Sequence, residues 1–139
     1  MERYHHLFEP NELIESAFDP RNIDWNCNTI SGLLLPVYNA IEQDLFDGNY
    51  LGAVTLFLQM LDSMTCHFVV DEHYCNFDDQ YFPGFDADTY WGMIKKCIPN
   101  MNEDVRSILL SGLDAISKTE ASKNYSMPWT ERWIREMGG

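Results

Sequence analysis

The sequence predicts an all-α fold: a bundle of five or six helices, or a short helical-repeat-like array, with one long aromatic-acidic loop. Apolar residues recur at intervals of three and four in several segments, and none shows the sustained two-residue alternation of a strand. Proline, glycine and asparagine stand at the ends of these segments, where helices begin and stop. The 139 residues suit a single acidic helical domain, 1–139, and a hydrophobic share of 45% is enough to build its core.

The first two helices are predicted from their caps and stops. Asn11 is suited to cap a short helix over 11–18, because its side chain can accept from a free backbone N–H of the first turn. A second helix is predicted over 34–47. Pro36 fits only in the first turn of this helix, and Gly48 supplies the left-handed residue that ends it.

Four further helices follow the same rules. The segment 49–64 is apolar around most of its helical circumference, so we expect it at the centre of the bundle. Three more helices are predicted over 88–98, 102–118 and 128–137. Asn102 is suited to cap the second of these three.

A short motif at the junction of the second and third helices resembles part of a known repeat. It reads Gly48-Asn49-Tyr50-x-x-Ala53-x-x-x-Phe57. This run resembles the second half of a tetratricopeptide repeat, in which a glycine breaks the hairpin and a small alanine lets two helices approach. The preceding helix departs from that pattern, and no second copy follows at a period of 34. The resemblance implies a helical hairpin over 34–64.

The order of elements over 34–116 is similar to the helical region that accompanies SWIM zinc-finger proteins. In that region a helical hairpin is followed by an acidic loop with a glycine and then by two more helices. The cysteine-histidine motif of the SWIM finger is absent from this sequence. The resemblance therefore covers the helical part alone and implies a role in protein contacts rather than in catalysis.

Acidic and basic residues are segregated along the chain, whose net charge is −13. Residues 22–94 contain eleven acids and no lysine or arginine, whereas residues 95–139 contain seven bases and six acids. Unless the C-terminal cations fold back onto it, the cation-free stretch is expected to present a continuous negative field. Such a field repels nucleic acid and anionic lipid and attracts basic proteins. Acidity that only keeps the protein soluble is the open alternative.

The segment 66–87 is predicted to be the long loop and to carry the binding site. Its aromatic residues can anchor it to the helices, and its carboxylates can hold lysine or arginine of a partner. The predicted partner-binding residues are Asp71, Glu72, Tyr74, Asp78, Asp79, Tyr81, Phe82, Asp86 and Asp88.

A zinc site in the same region is the alternative interpretation. Thiolate and imidazole are the ligands that zinc prefers. The candidate ligands are Cys66, His67, His73 and Cys75. Their spacing matches no common zinc framework, so no cofactor is assigned. A zinc-binding protein or metalloenzyme centred on these residues stays as the second hypothesis.

The expected function is binding to another protein, not catalysis. The sequence contains no nucleophile elbow, no glycine-rich phosphate loop and no zinc-protease motif. An inhibitor or immunity-type protein fits best, because carboxylates can occupy the phosphate positions of a nucleic-acid-processing enzyme. The absence of a secretory signal, of a membrane-spanning segment and of paired cysteine spacing predicts a cytoplasmic protein that does not bind membranes. Its acidity predicts that it does not bind nucleic acid directly.

Overall fold

Six α-helices make up most of the part of the chain that the structure describes, and no strand occurs in that part. The computed structural model describes residues 7–9, 11–17, 34–70, 87–118 and 129–138. The helices are α1 (Glu12–Ala17), α2 (Leu35–Phe46), α3 (Tyr50–Val70), α4 (Ala87–Cys97), α5 (Glu103–Ser117) and α6 (Trp129–Gly138), with a 3₁₀ turn over Ile98–Asn100. The prediction of an all-α fold is confirmed for these residues.

Helix α3 occupies the centre of the fold, as its apolar circumference predicts. It packs against α1, α2, α4 and α5, while α6 packs against α5 and α4. Helices α2 and α5 therefore both use α3 as a main packing partner. Although α3 has 21 residues, neither it nor another helix of the described ranges is both long and apolar enough to cross a membrane.

The predicted end of the third helix is wrong. Helix α3 continues beyond Met64 to Val70, so the predicted loop 66–87 is helical over its first five residues. Apolar periodicity fades after Met64, but no glycine, proline or asparagine follows to stop the helix before Val70. The remainder of the predicted loop, 71–86, lies outside the described residues.

Asparagine caps fix the starts of two helices, as predicted. The side-chain oxygen of Asn102 accepts from the Val105 N–H at 2.9 Å at the start of α5. At the start of α1, the side-chain oxygen of Asn11 accepts from the Ile14 N–H at 3.1 Å. Pro36 lies in the first turn of α2, where its missing N–H removes no helical hydrogen bond.

A tight turn joins α2 to α3. Gly48 has φ +80°, a left-handed conformation that glycine adopts without a steric penalty. Three backbone hydrogen bonds close the turn. The N–H groups of Asp47, Gly48 and Asn49 donate to the carbonyls of Gln43, Leu45 and Asp44, respectively. The Asn49 side-chain oxygen then accepts from the Gly52 N–H at 3.2 Å and caps α3. The two helices are thus held as a hairpin with a fixed tip.

Helices α3 and α5 approach closely at Gly112. A Cβ at this position would lie 2.5 Å and 2.7 Å from the two methyl carbons of Leu58. The Leu58 side chain is itself buried in α3, so it has little room to move. Glycine at 112 therefore serves the packing of the two helices.

A cluster of aromatic side chains attaches α4 and α6 to α3. The rings of Trp91 and Trp133 stack with their centroids 5.3 Å apart, and the Phe57 ring lies 5.7 Å from that of Trp133. Trp133 is fully buried. The indole N–H of Trp91 donates to Glu136 Oε1 at 2.8 Å, which satisfies the polar atom of that ring.

A second aromatic pair joins α2 to α4. The Tyr38 and Tyr90 rings meet edge to face at 5.3 Å, and the Tyr90 hydroxyl donates to the Leu34 carbonyl at 3.3 Å. Burial, followed by the electrostatic influence of Tyr38, raises the pKa of Tyr90 well above its usual range. Tyr90 therefore keeps its proton and remains a hydrogen-bond donor at any ordinary pH.

The segment 7–9 is fastened to α3 through two hydrogen bonds. Asp62 Oδ2 accepts from the Phe8 N–H at 2.9 Å, and the Gln59 amide donates to the Glu9 carbonyl. Asp62 is only 2% exposed. Asp62, one of the eleven acids of the cation-free stretch, therefore lies on the inner side of the central helix and not on its exposed surface.

Candidate interaction surface

Most of the predicted partner-binding residues lie outside the described part of the chain. These are Asp71, Glu72, Tyr74, Asp78, Asp79, Tyr81, Phe82 and Asp86. For Asp88, the structure describes a helical backbone in α4. The role of these residues in binding stays a prediction.

The candidate zinc ligands are likewise not brought together by the described residues. Cys66 and His67 belong to α3, while His73 and Cys75 lie outside the described ranges. Within those ranges, no group of three or more histidine, cysteine, aspartate or glutamate residues could hold a metal ion. Cys97 is a free, half-buried thiol.

The described part of the cation-free stretch presents three acids at the C-terminal end of α2. They are Glu42, Asp44 and Asp47, the first and last exposed and the second half-buried. The Asp47 carboxylate accepts two 3.1 Å hydrogen bonds from the Gln43 amide, and Asp44 accepts one from the Asn49 amide at 3.4 Å. These contacts come from neutral amide groups, so among the described residues they do not neutralise Asp44 or Asp47.

Three described cations of the C-terminal region pair with acids of the same region. Lys95 Nζ lies 3.0 Å from Glu136 Oε1, and Arg132 Nε lies 3.7 Å from Glu136 Oε2. Lys118 Nζ lies 2.9 Å from Asp114 Oδ2. None of these three pairs reaches α2. Within the described residues, the negative charge at the end of α2 therefore has no cationic partner.

The acids of α2 stand at the end of the helix where the helix dipole disfavours them. Asp44 lies in the last turn and Asp47 is the C-cap, and the last turn contains no basic residue. A helix C-terminus carries partial negative charge, so an exposed acid there costs roughly 0.3–1 kcal/mol at low salt. In contrast, Glu103 and Asp104 occupy the first turn of α5, where the dipole favours them.

Phe46 is the one exposed aromatic side chain among those that the structure describes. Its exposed fraction is 85%, whereas the other described aromatic side chains are buried or half-buried. Leu51, which follows the turn at the start of α3, is 49% exposed. We use the term hairpin surface for Glu42, Asp44, Phe46, Asp47 and Leu51.

The sequence predicts the acids of the hairpin surface but not its aromatic residue. Val37 and Ile41 define the buried stripe of α2, and Leu45 continues it. Position 46 lies outside that stripe, and the spacing of the apolar residues in the sequence already indicates this. The Phe46 ring, which lies outside the buried stripe, is therefore accessible to another molecule.

Comparisons with known proteins add no family to this description. A scan against protein-family models finds no match, and searches of curated proteins and of solved structures find none either. The resemblances of 34–64 to a tetratricopeptide-like hairpin and of 34–116 to the helical region of SWIM proteins stay predictions.

Proposed function

We propose that this protein acts by binding another protein, and that it is a small acidic inhibitor of immunity type. Its partner is a protein with a basic working surface, such as a nucleic-acid-processing enzyme. The acidic stretch of residues 42–88 supplies the contact, with the hairpin surface as the described part. No catalytic step is assigned to the protein.

The placement of Asp44 and Asp47 carries this proposal. Both acids oppose the dipole of α2, and no cation of the described residues pairs with either. A local arrangement that lowers stability without compensation is typical of functional sites. Contact with lysine or arginine of a partner would supply the missing compensation.

The chemistry of carboxylates explains the preference for a basic partner. An array of fixed negative charges meets the same lysine and arginine side chains that hold phosphates in a nucleic-acid-binding site. Long-range attraction between such surfaces accelerates association and is screened by salt. The proposal therefore requires binding whose rate depends on ionic strength.

The experiment is an affinity capture from the native host with three forms of the protein. The first is the unchanged chain and the second is the hairpin variant E42Q/D44N/D47N. The third is a matched control, E103Q/D104N/E131Q, which removes the same number of charges from exposed positions of α5 and α6. Captured proteins are identified by mass spectrometry, and association rates are then measured with the purified partner.

We expect the control to bind like the unchanged chain and the hairpin variant to associate at least several-fold more slowly. Raising the salt concentration should reduce the rate for the unchanged chain and should affect the hairpin variant less. An association rate that is independent of both salt and the three hairpin acids would overturn the proposal.

A further inference from the structure

We infer that Phe46 is the apolar anchor of the hairpin surface and that it inserts into a pocket rimmed by lysine or arginine on the partner. This inference rests on the proposed function and adds the shape and chemistry of the contact. It starts from the exposure of a large aromatic side chain that the fold itself does not need.

The fold does not use Phe46. Its side chain is 85% exposed, while Val37 and Ile41 on the opposite side of α2 are fully buried. Packing of α2 on α3 therefore does not depend on position 46. Burial of a phenylalanine side chain is favourable, and the free energy of burying this ring remains available for a contact with another molecule.

The backbone around Phe46 is held in place before any partner binds. Gly48 provides the left-handed turn, and the hydrogen bonds that close the turn begin at Asp47, the next residue. Asn49 connects the turn to both helices, since its amide donates to Asp44 and its oxygen accepts from Gly52. An anchor on a rigid hairpin loses little conformational entropy on binding.

Charge complementarity identifies the occupant. Asp47 follows Phe46 directly, and Glu42, four residues earlier, lies on the same side of α2, whereas Asp44, two residues earlier, lies on another side. Leu51 adds exposed apolar area across the turn. A partner that buries Phe46 brings its own surface close to Glu42 and Asp47, where lysine or arginine is favoured, and an apolar pocket close to the ring. Buried aromatic anchors surrounded by polar contacts are the usual source of affinity in protein interfaces.

The experiment uses two synthetic peptides of about 15 residues as probes. The first combines leucine and lysine at helical spacing, so that it offers an apolar stripe with cations beside it. The second has the same lysines with serine in place of leucine. Dissociation constants are measured by calorimetry for the unchanged chain, for F46S, for the hairpin variant E42Q/D44N/D47N, and for the control I108S. Ile108 is 42% exposed on α5 and lies outside the hairpin surface.

We expect the leucine-lysine peptide to bind the unchanged chain, and F46S to weaken this binding at least about tenfold. The control I108S should change it less than twofold. Binding of the serine-lysine peptide should be weaker and should not respond to F46S. Circular dichroism should show the same helix content and melting temperature for F46S and the unchanged chain, because the ring is outside the core.

Two results would overturn the inference, and they are distinguishable from failure of the proposed function. If F46S binds the leucine-lysine peptide as well as the unchanged chain does, Phe46 is not an anchor, whatever the acids do. If light scattering shows a dimer that F46S converts to monomer, the occupant is a second copy of the chain. If both peptides bind the hairpin variant E42Q/D44N/D47N with the same dissociation constants as the unchanged chain, the proposed function itself is contradicted.

Discussion

Individual residues decide how closely the helices of this protein approach, and two glycines in helices illustrate the point. At Gly112 a Cβ would lie 2.5 Å from a methyl carbon of Leu58, whereas at Gly92 it would meet no atom within 4 Å. Both glycines cost helix propensity, which amounts to roughly 1 kcal/mol relative to alanine. The packing of the helices requires glycine at position 112 but not at position 92.

The variants G92A and G112A are therefore expected to change stability in opposite directions. G92A should stabilise the protein by about 0.5–1 kcal/mol, because it gains helix propensity without a clash. Overpacking typically costs about 1–3 kcal/mol, so G112A should lose about 1 kcal/mol net of its propensity gain. Urea denaturation followed by circular dichroism measures both.

The clash itself is tested by adding L58A to each glycine variant. Removal of the Leu58 methyl groups makes room for a Cβ at position 112, so in this background G112A should no longer be destabilising. The effect of G92A should stay the same with and without L58A. Equal effects of G112A in the two backgrounds would contradict the close-approach explanation.

At the scale of helices, sequence patterns predict element type and starts better than ends. Asn11 and Asn102 are asparagines with a free side-chain oxygen before an apolar stripe, and both cap a helix. The end of α3 at Val70 was missed because no stop residue marks it, and the apolar pattern fades earlier than the hydrogen-bonded helix. Close contacts such as that at Gly112 depend on which helices meet, and no local pattern encodes this.

The attachment of α6 to α4 depends on a carboxylate as well as on stacked rings. Glu136 accepts from the Trp91 indole N–H at 2.8 Å and lies 3.0 Å from Lys95 Nζ. The hydrogen bond from Trp91, followed by that from Lys95, holds the pKa of Glu136 below its usual value; nearby charges of Lys95 and Arg132 add to this. The folded protein therefore binds this proton less tightly than the unfolded chain does, and the ionised carboxylate stabilises the fold.

We expect the stability difference between the unchanged chain and E136Q to depend on pH. Since the pKa is lowered in the folded state, the difference should be fully present above about 4.5, the usual value. It should then decrease to near zero as the pH falls through the lowered pKa. Melting temperatures of the two proteins, measured about every half pH unit between pH 7 and pH 3, give the pH dependence of this difference.

The control for this prediction is E131Q on the same helix. Glu131 is exposed, and it makes no ion pair within the described residues. Its effect on the melting temperature at pH 7 should be smaller than that of E136Q, because Glu131 contributes only through the dipole of the first turn of α6. A pH-independent difference for E136Q would show that the packing of the side chain, not its charge, matters.

At the scale of the whole molecule, the net charge of −13 is distributed unevenly, and this distribution predicts how stability responds to salt. Three described cations, Lys95, Lys118 and Arg132, pair with acids of α5 and α6, whereas none of the described cations pairs with an acid of α2. Sequence alone predicts this segregation, because it follows from the positions of lysine and arginine along the chain. It did not predict that Asp62 is buried, because this depends on which side of the central helix faces a neighbour. The exposure of Phe46, in contrast, agrees with its position outside the apolar stripe of α2.

The hairpin variant E42Q/D44N/D47N should therefore be more stable than the unchanged chain at low salt, by about 1 kcal/mol in total. The reason is that Asp44 and Asp47 oppose the helix dipole and that all three acids add to the repulsion within a highly negative molecule. The advantage should shrink when salt is raised from about 0.01 M to about 0.1 M, because the screening length falls from about 30 Å to about 10 Å.

The variant E103Q/D104N should behave in the opposite way and lose stability at low salt, since these acids stabilise the first turn of α5. Urea denaturation at the two salt concentrations distinguishes the two cases. If the hairpin acids proved stabilising, they would have a role in the fold, and the argument that they are retained for a basic partner would lose its physical basis.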